Sequence, residues 1–288
     1  MSEDTAVLRR ERRRTAQRVQ RRRRRLLLGV LVVAALVVGV AAVLAFRHLQ
    51  GNDAPPPAPE LKTITLTIPE GYNREQTAEL AREAGLRGSY LKAGRGHEGF
   101  LFPDTFELEK HAPVSDLVEL QLEDFKRRVA GLDMRYARSK NLTLHDVVTI
   151  ASMIEEEAGL ESQRKLVAAV IYNRLREGIP LGIDSTVRFA TGNFDRPLTE
   201  SELAIDSPYN TRVNAGLPPG PIDSPGLASI EAAAHPAQVS YLYYVTEPGA
   251  CGKLAFAETE AEFEADVARY NEARAAAGGN SPDTCAEE

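Results

Sequence analysis

The chain is short of the residue types on which most hydrolytic and redox chemistry depends. Its two cysteines, Cys251 and Cys285, stand 34 positions apart. Its five histidines (His48, His97, His111, His145 and His235) form no HExxH pair. A zinc site is therefore poorly supported and no metal is expected. No G-x-S-x-G elbow offers a nucleophilic serine, and no glycine-rich loop cradles a phosphate. No cofactor is implied. Carboxylates remain as the candidates for acid–base chemistry on a neutral polymer such as a glycan.

What is present is strongly asymmetric. Residues 1–25 hold eleven arginines against Glu3, Asp4 and Glu11, a net +8. The whole chain is −6, which leaves −14 for everything after residue 25. Residues 26–46 (Leu26 to Phe46) follow with no charge and only Gly29 and Gly39 as breaks. At about 1.5 Å per residue the run spans roughly 31 Å, the thickness of a bilayer's hydrocarbon core. A signal peptide has a shorter apolar region and a small-residue cleavage site, which Phe46-Arg47-His48-Leu49-Gln50 does not resemble. The expectation is an uncleaved single-pass anchor. By the positive-inside rule the arginine arm is cytoplasmic and all that follows Arg47 is extracytoplasmic. An arginine run directly before a membrane span argues against a nucleic-acid partner. Cys251 and Cys285 both fall outside, where a disulfide persists, although two free thiols fit the sequence equally well.

Residues 47–61 form a linker, proline-rich over Gly51 to Pro59. Lys62 to Ile68 alternates in the manner of a half-buried strand, and Pro69-Glu70-Gly71-Tyr72 supplies a turn. Asn73, with Gln76 three residues on, predicts a capping box for a helix to about Ala84. His97 to Leu108 is dense in aromatics and reads locally as a loop whose phenylalanines fill the core. Ser115 predicts the cap of a helix to Gly131, and Thr143 the cap of the next. Glu161 to Glu177 is predicted helical, with Gly178 ending it. Pro180 to Gly226 reads as a long polar loop, a type usually functional or disordered. Tyr241–Val245 and Lys253–Ala257 predict a hairpin, Glu260–Ala277 a last helix, and residues 278–288 a mobile tail.

The stretch Thr149 to Gly159 is an apolar run ending in three carboxylates, Glu155-Glu156-Glu157. Advancing by about 100° per residue, Leu144, Val147, Val148, Ala151, Ile154 and Ala158 fall on one arc. Glu155 falls inside it, Glu156 points away and Glu157 lies just beyond its other edge. A carboxylate on an apolar stripe is expected to have a raised pKa, which suits a general acid. The competing reading is a structural ion pair with a basic neighbour such as Arg164. Asn173 lies near the inward face of its helix, where an asparagine usually satisfies backbone groups.

Several motifs occur in order: Glu98-Gly-Phe-Leu-Phe-Pro-Asp-Thr-Phe106, Ala151-Ser-Met-Ile-Glu-Glu-Glu157, Val170-Ile-Tyr-Asn-Arg-Leu175 and Asp184-Ser-Thr-Val187. Ser207-Pro-Tyr-Asn-Thr211, Gly216-Leu-Pro-Pro-Gly-Pro-Ile222 and Ala233-Ala-His-Pro236 follow. Together they resemble the YceG-like family, the membrane-anchored endolytic murein transglycosylases, over about residues 63 to 250. The resemblance implies an α+β fold: an N-terminal transmembrane helix, a LysM-like α/β unit at 62–108, and a mainly helical catalytic domain at 109–277 with a short β-hairpin. It implies cleavage of the β-1,4 bond between N-acetylmuramic acid and N-acetylglucosamine in nascent glycan strands, leaving 1,6-anhydro ends and limiting strand length. Glu155 matches the family's catalytic glutamate. Glu157, Asn173, Asp184, Tyr209 and Asn210 match positions assigned to the cleft. Implied partners are peptidoglycan strands, the membrane and the peptidoglycan synthases.

Two departures stand out. Only about 15 residues separate the anchor from the strand that leads into Ile68-Pro-Glu-Gly71, so the LysM-like unit reads as truncated relative to the family. Where the family often has Gly-x-His-x-Phe, this chain reads Gly252-Lys-Leu-Ala-Phe256. The alternative function is a non-catalytic glycan-binding or scaffolding protein of the wall-synthesis machinery. A conventional hydrolase is a third.

Overall fold

A computed structural model describes residues 28–48 and 62–282. The arginine arm, the proline-rich linker and Cys285 lie outside the described residues. The chain divides into two compact units, Met1–Glu60 and Leu61–Glu288. Within the first, helix α1 (Leu28–His48) has 21 residues and a mean hydropathy of 2.9, long and apolar enough to cross a membrane. It extends two residues beyond the Phe46 expected from composition.

The second unit mixes helices and strands around two hydrophobic clusters. The smaller is built on β1 (Thr63–Thr67), α2 (Arg74–Glu83), α3 (Tyr90–Ala93) and β2 (Thr105–Glu109). The two strands pair antiparallel, with Thr63 opposite Glu109 and Thr67 opposite Thr105. Their alternation turns Leu66, Phe106 and Leu108 inward. Asn73 and Gln76 form the predicted capping box at α2. The loop reading of 97–108 is corrected at its end, where Thr105-Phe-Glu-Leu-Glu109 alternates and pairs as β2. The phenylalanines before it mask that period.

Helix α4 (Val114–Val129) joins the two clusters: Leu117 and Val118 belong to the smaller, Phe125 to the larger. It starts at Val114 with Pro113 in the cap position and no side-chain cap, not at Ser115. Proline's fixed φ suits a helix entrance and needs no N–H partner. Gln121, fully buried at the junction, accepts from the Tyr90 hydroxyl at 2.5 Å and donates to the Leu101 and Phe102 carbonyls.

After α5 (Arg135–Ser139), α6 (Leu144–Glu157) carries the predicted capping box of Thr143 and Asp146. Every residue from Val147 to Ile154 is buried. An apolar arc with a polar back is therefore too modest a description. α6 is enclosed by α7 (Arg164–Glu177), α8 (Asp184–Thr191) and α10 (Leu227–Ala234). A 3₁₀ turn, Glu161–Gln163, precedes α7, which ends on Gly178 at φ 69°. The segment 180–226 is less irregular than predicted, because it contains α8 and the short α9 (Glu200–Leu203). β3 (Tyr243–Thr246) and β4 (Leu254–Ala257) form the expected antiparallel pair, and α11 (Glu260–Ala276) closes the unit.

Candidate active site at the end of helix α6

The last turn of α6 delivers three consecutive carboxylates into three different surroundings. Its position is set from below by Ser152, whose hydroxyl donates to the Thr149 carbonyl and accepts from the Ile222 amide at 3.1 Å. That bond holds the turn 222–226 across the helix end. The turn between β1 and α2 closes the other side: Gly71 N–H donates to Ser224 O at 3.0 Å, and Ser224 N–H to Tyr72 O at 3.1 Å. Gly71 has φ 79°, and a side chain there would meet Glu156 at 3.4 Å and Glu155 at 3.7 Å. The backbone conformation favours glycine there, while a Cβ would only make ordinary contact with the two glutamates.

Glu155 is engaged at both oxygens. Arg164, the first residue of α7, donates to Oε1 at 3.0 Å, and the Gly226 N–H donates to Oε2 at 2.9 Å. Both partners of this ion pair are largely buried, with side chains 16% and 9% exposed for Arg164 and Glu155. Arg164 is the partner that the structural reading of the sequence named, and it stands beside the carboxylate that the family motif selects. A cation at a helix N-terminus runs against the helix dipole, so its attraction to Glu155 outweighs a local penalty.

Glu156 lines a cavity of about 240 Å³ together with Gly71, Ser185, Arg188, Phe189 and Asp223. Burial and the adjacent Glu155 push its carboxyl above the usual range, against the pull of Arg188. Glu157 turns the other way. It accepts from the Tyr244 hydroxyl at 3.0 Å and the Ser185 hydroxyl at 3.4 Å. Burial raises it to about 7, with Asp184 and Glu156 adding to the rise and the two hydroxyl donors opposing it. Glu70, across from Glu155, is also raised, first by burial and then by the Glu155 charge.

The remaining predicted residues divide into two sets. Asp184 opens α8 beside Glu157 and pairs with Arg212 at 2.7 Å on an exposed edge. Tyr209 packs on Phe189 with ring centroids 4.9 Å apart, so it adjoins the cavity wall. Asn173 and Asn210 do not join them. Asn173 donates to the Val239 and Tyr241 carbonyls, tying α7 to the approach of β3, which is the backbone role a buried asparagine usually takes. Asn210 donates to Leu203 and Ile205 carbonyls and accepts from Arg212 N–H, which folds its own loop.

Sequence reasoning passed over Asp223. It is 2% exposed, neither carboxyl oxygen has a hydrogen-bond partner, and burial with the charges of Glu156, Glu155 and Glu98 pushes it well above the usual carboxylate range. Its only sequence signal is an acidic residue directly after the Gly216–Ile222 motif. Arg164 also forms one wall of a second, more open groove of about 610 Å³, with Lys165, Ser162 and Glu231. Glu155 itself lines neither; its chain neighbour Glu156 lines the first and its ion-pair partner Arg164 the second. Among the described residues no group of three His, Cys, Asp or Glu side chains is placed to hold a metal.

Comparison with known proteins agrees with the motif order. An endolytic murein transglycosylase of Bacillus subtilis is 36% identical over 174 residues, 60% of this chain and 48% of that protein. One of Streptococcus pneumoniae R6 is 29% identical over 265 residues, 77% of this chain and 47% of that protein. The chain therefore spans about half the length of the curated relatives it matches. A yceG-like protein of Listeria monocytogenes of known crystal structure superposes with a TM-score of 0.63 at 29% identity, over 70% of this chain and 75% of that one. The model of the YceG-like family matches residues 41–269, and the chain belongs to that family.

Proposed function

We propose that this chain is a membrane-anchored endolytic transglycosylase of peptidoglycan. The observation that carries the proposal is the placement of Glu155. Its carboxylate is oriented by Arg164 and Gly226, next to the cavity-lining Glu156, on the helix turn that matches the family's Ala-Ser-x-x-Glu motif. Two donors on one carboxylate fix its direction before a glycan arrives, which is the arrangement preorganised acid–base catalysis needs.

In this reading Glu155 protonates the glycosidic oxygen while the bond from that oxygen to the muramic anomeric carbon breaks. The same carboxylate then takes the proton of the muramic C6 hydroxyl as its oxygen attacks the anomeric carbon. The 1,6-anhydro ring forms, Glu155 regains its proton and no water is consumed. The carboxyls around it, Glu70, Glu156 and Asp223, are all raised by burial and by neighbouring carboxylate charge. The unit of β1, α2, α3 and β2 serves as the LysM-like glycan-holding part. The anchor puts the N-terminus in the cytoplasm and the catalytic unit outside, where strands leave the synthases.

The test is mass spectrometry of peptidoglycan treated with the full chain in detergent. The expected products carry 1,6-anhydro ends, and Glu155→Gln lowers their rate by about 10²–10⁴-fold. Reducing ends in their place mean a hydrolase. Glycan binding with no cleavage means a scaffold, and full activity in Glu155→Gln removes that residue from the chemistry.

A further inference from the structure

The cavity beside Glu156 contains one polar group for which the protein supplies no counterpart. Of the polar side chains lining it, Asn73 and Gln76 are engaged with each other's backbone in the α2 capping box. Ser185 donates to Glu157, and Arg188 donates to the carbonyls of Asn193 and Arg196. Glu156 is only partly covered and keeps one side open to solvent. Asp223 has no protein partner: it is 2% exposed and neither carboxyl oxygen is hydrogen-bonded to another residue.

This isolation is built in. The backbone on either side of Asp223 is pinned by Ser152 at Ile222, by Gly71 and Tyr72 at Ser224, and by Glu155 at Gly226. The turn cannot drift to give Asp223 a protein partner. A buried carboxyl left without one is unfavourable for folding, and such groups in native proteins call for an explanation. Burial and three neighbouring carboxylates favour its neutral form over the charged one, and in the neutral form its O–H is a hydrogen-bond donor. Part of the wall is apolar: Phe189, Phe194 and Ile222 line the same cavity, whose volume of about 240 Å³ is of the order of a single sugar unit.

A donor beside an apolar wall matches an acetamido group, which presents a carbonyl oxygen and a methyl together. We propose that Asp223 is a specificity-determining residue of this cleft, donating a hydrogen bond to the acetamido carbonyl of one N-acetylated sugar whose methyl packs on Phe189 and Phe194. The inference rests on the reading of the site as a glycan cleft. Asp223 belongs to the wall of that cavity, so a sugar seated there lies against it. A hydroxyl-only sugar lacks the methyl for the aromatic wall and is bound less well.

The test is calorimetric titration of the full chain in detergent with two neutral probes, a β-1,4-linked N-acetylglucosamine oligomer and a β-1,4-linked glucose oligomer. Wild type is expected to favour the acetylated oligomer by about tenfold or more, the size of discrimination a buried hydrogen-bonding group supplies. Asp223→Ala brings the two affinities to within about threefold by weakening only the acetylated oligomer, and its melting temperature is no lower than wild type. Asp223→Asn keeps a donor and retains most of the preference. Three results overturn the proposal: no preference in wild type, a preference that survives in Asp223→Ala, or equal weakening of both probes with a lower melting temperature. Sugar preference without anhydro products leaves this inference standing and removes the catalytic reading. Anhydro products without the preference do the reverse.

Discussion

The three glutamates that end α6 share a sequence context and nothing else. Glu155 has an arginine and a backbone amide, Glu156 a cavity, Glu157 two hydroxyls in a buried pocket. Glu157 is the group whose proton affinity is most clearly displaced, to about 7 from an ordinary 4.5. Because its folded value is raised, the native state binds more protons than the unfolded one between those limits. Stability is then greatest below about pH 4.5 for this contribution and falls as pH rises towards 7. Glu157→Gln should flatten that part of the stability–pH curve measured by thermal melts. Asp184, Glu156, Tyr244 and Ser185 face this carboxyl. Tyr244→Phe removes a donor that favours the charged form, so the Glu157 midpoint should move further up, as read by NMR titration of its side-chain carboxyl. A midpoint that falls or stays put contradicts the described hydrogen bond.

At the scale of elements, the motif Glu98–Phe106 and the motif Gly216–Ile222 meet at Gly99. That residue has φ 78°, and an added Cβ would lie 2.4 Å from Pro221 and 3.0 Å from Val148 of α6. A proline ring in a pinned loop cannot swing aside as a flexible side chain can. Gly99→Ala should therefore destabilise the fold by at least about 1–3 kcal/mol, with the backbone penalty added to the overpacking. Denaturant unfolding measures it. A cost below half a kilocalorie would mean the two loops are looser than described. The cap of α6 is a milder test: Thr143→Ala removes the acceptor for Asp146 N–H and should cost about 1 kcal/mol. Gly159 belongs to the same logic. It lies just beyond α6, where a Cβ would come within 3.2 Å of Gly252 O, so the β3–β4 turn and the helix end approach backbone to backbone. Cys251, in that turn, is disulfide-bonded, which resolves the choice between a disulfide and free thiols that the sequence left open.

At the scale of the molecule, two hydrophobic clusters occupy a single compact unit, Leu61–Glu288. α4 contributes to both, and Gln121 fastens Tyr90 and the Leu101–Phe102 backbone to it without a solvent-exposed atom between them. The two clusters should accordingly unfold together. Tyrosine fluorescence, usable because the chain has no tryptophan, and far-ultraviolet circular dichroism are expected to give coincident denaturant midpoints. Separated midpoints would show that the unit of β1, α2, α3 and β2 melts on its own and that α4 is a hinge.

Much of this protein is determined locally, and that part is visible in the sequence. The apolar run of α1, the capping boxes at Asn73 and Thr143, the hairpin of β3 and β4 and the stop at Gly178 follow from hydropathy, side-chain capping and backbone preference. The helical arc and the motif order single out the same glutamate, Glu155, as the candidate. The tertiary structure decided what no window of residues contains. It gave Glu155 an arginine nine residues on and an amide 71 residues on. It assigned Asn173 and Asn210 to backbone carbonyls, because their partners come from chain folding and not from helical spacing. It also buried Asp223 without a counterpart. Proton affinity and cleft shape depend on which distant carboxylates, hydroxyls and rings converge, and convergence is a property of the packed chain alone.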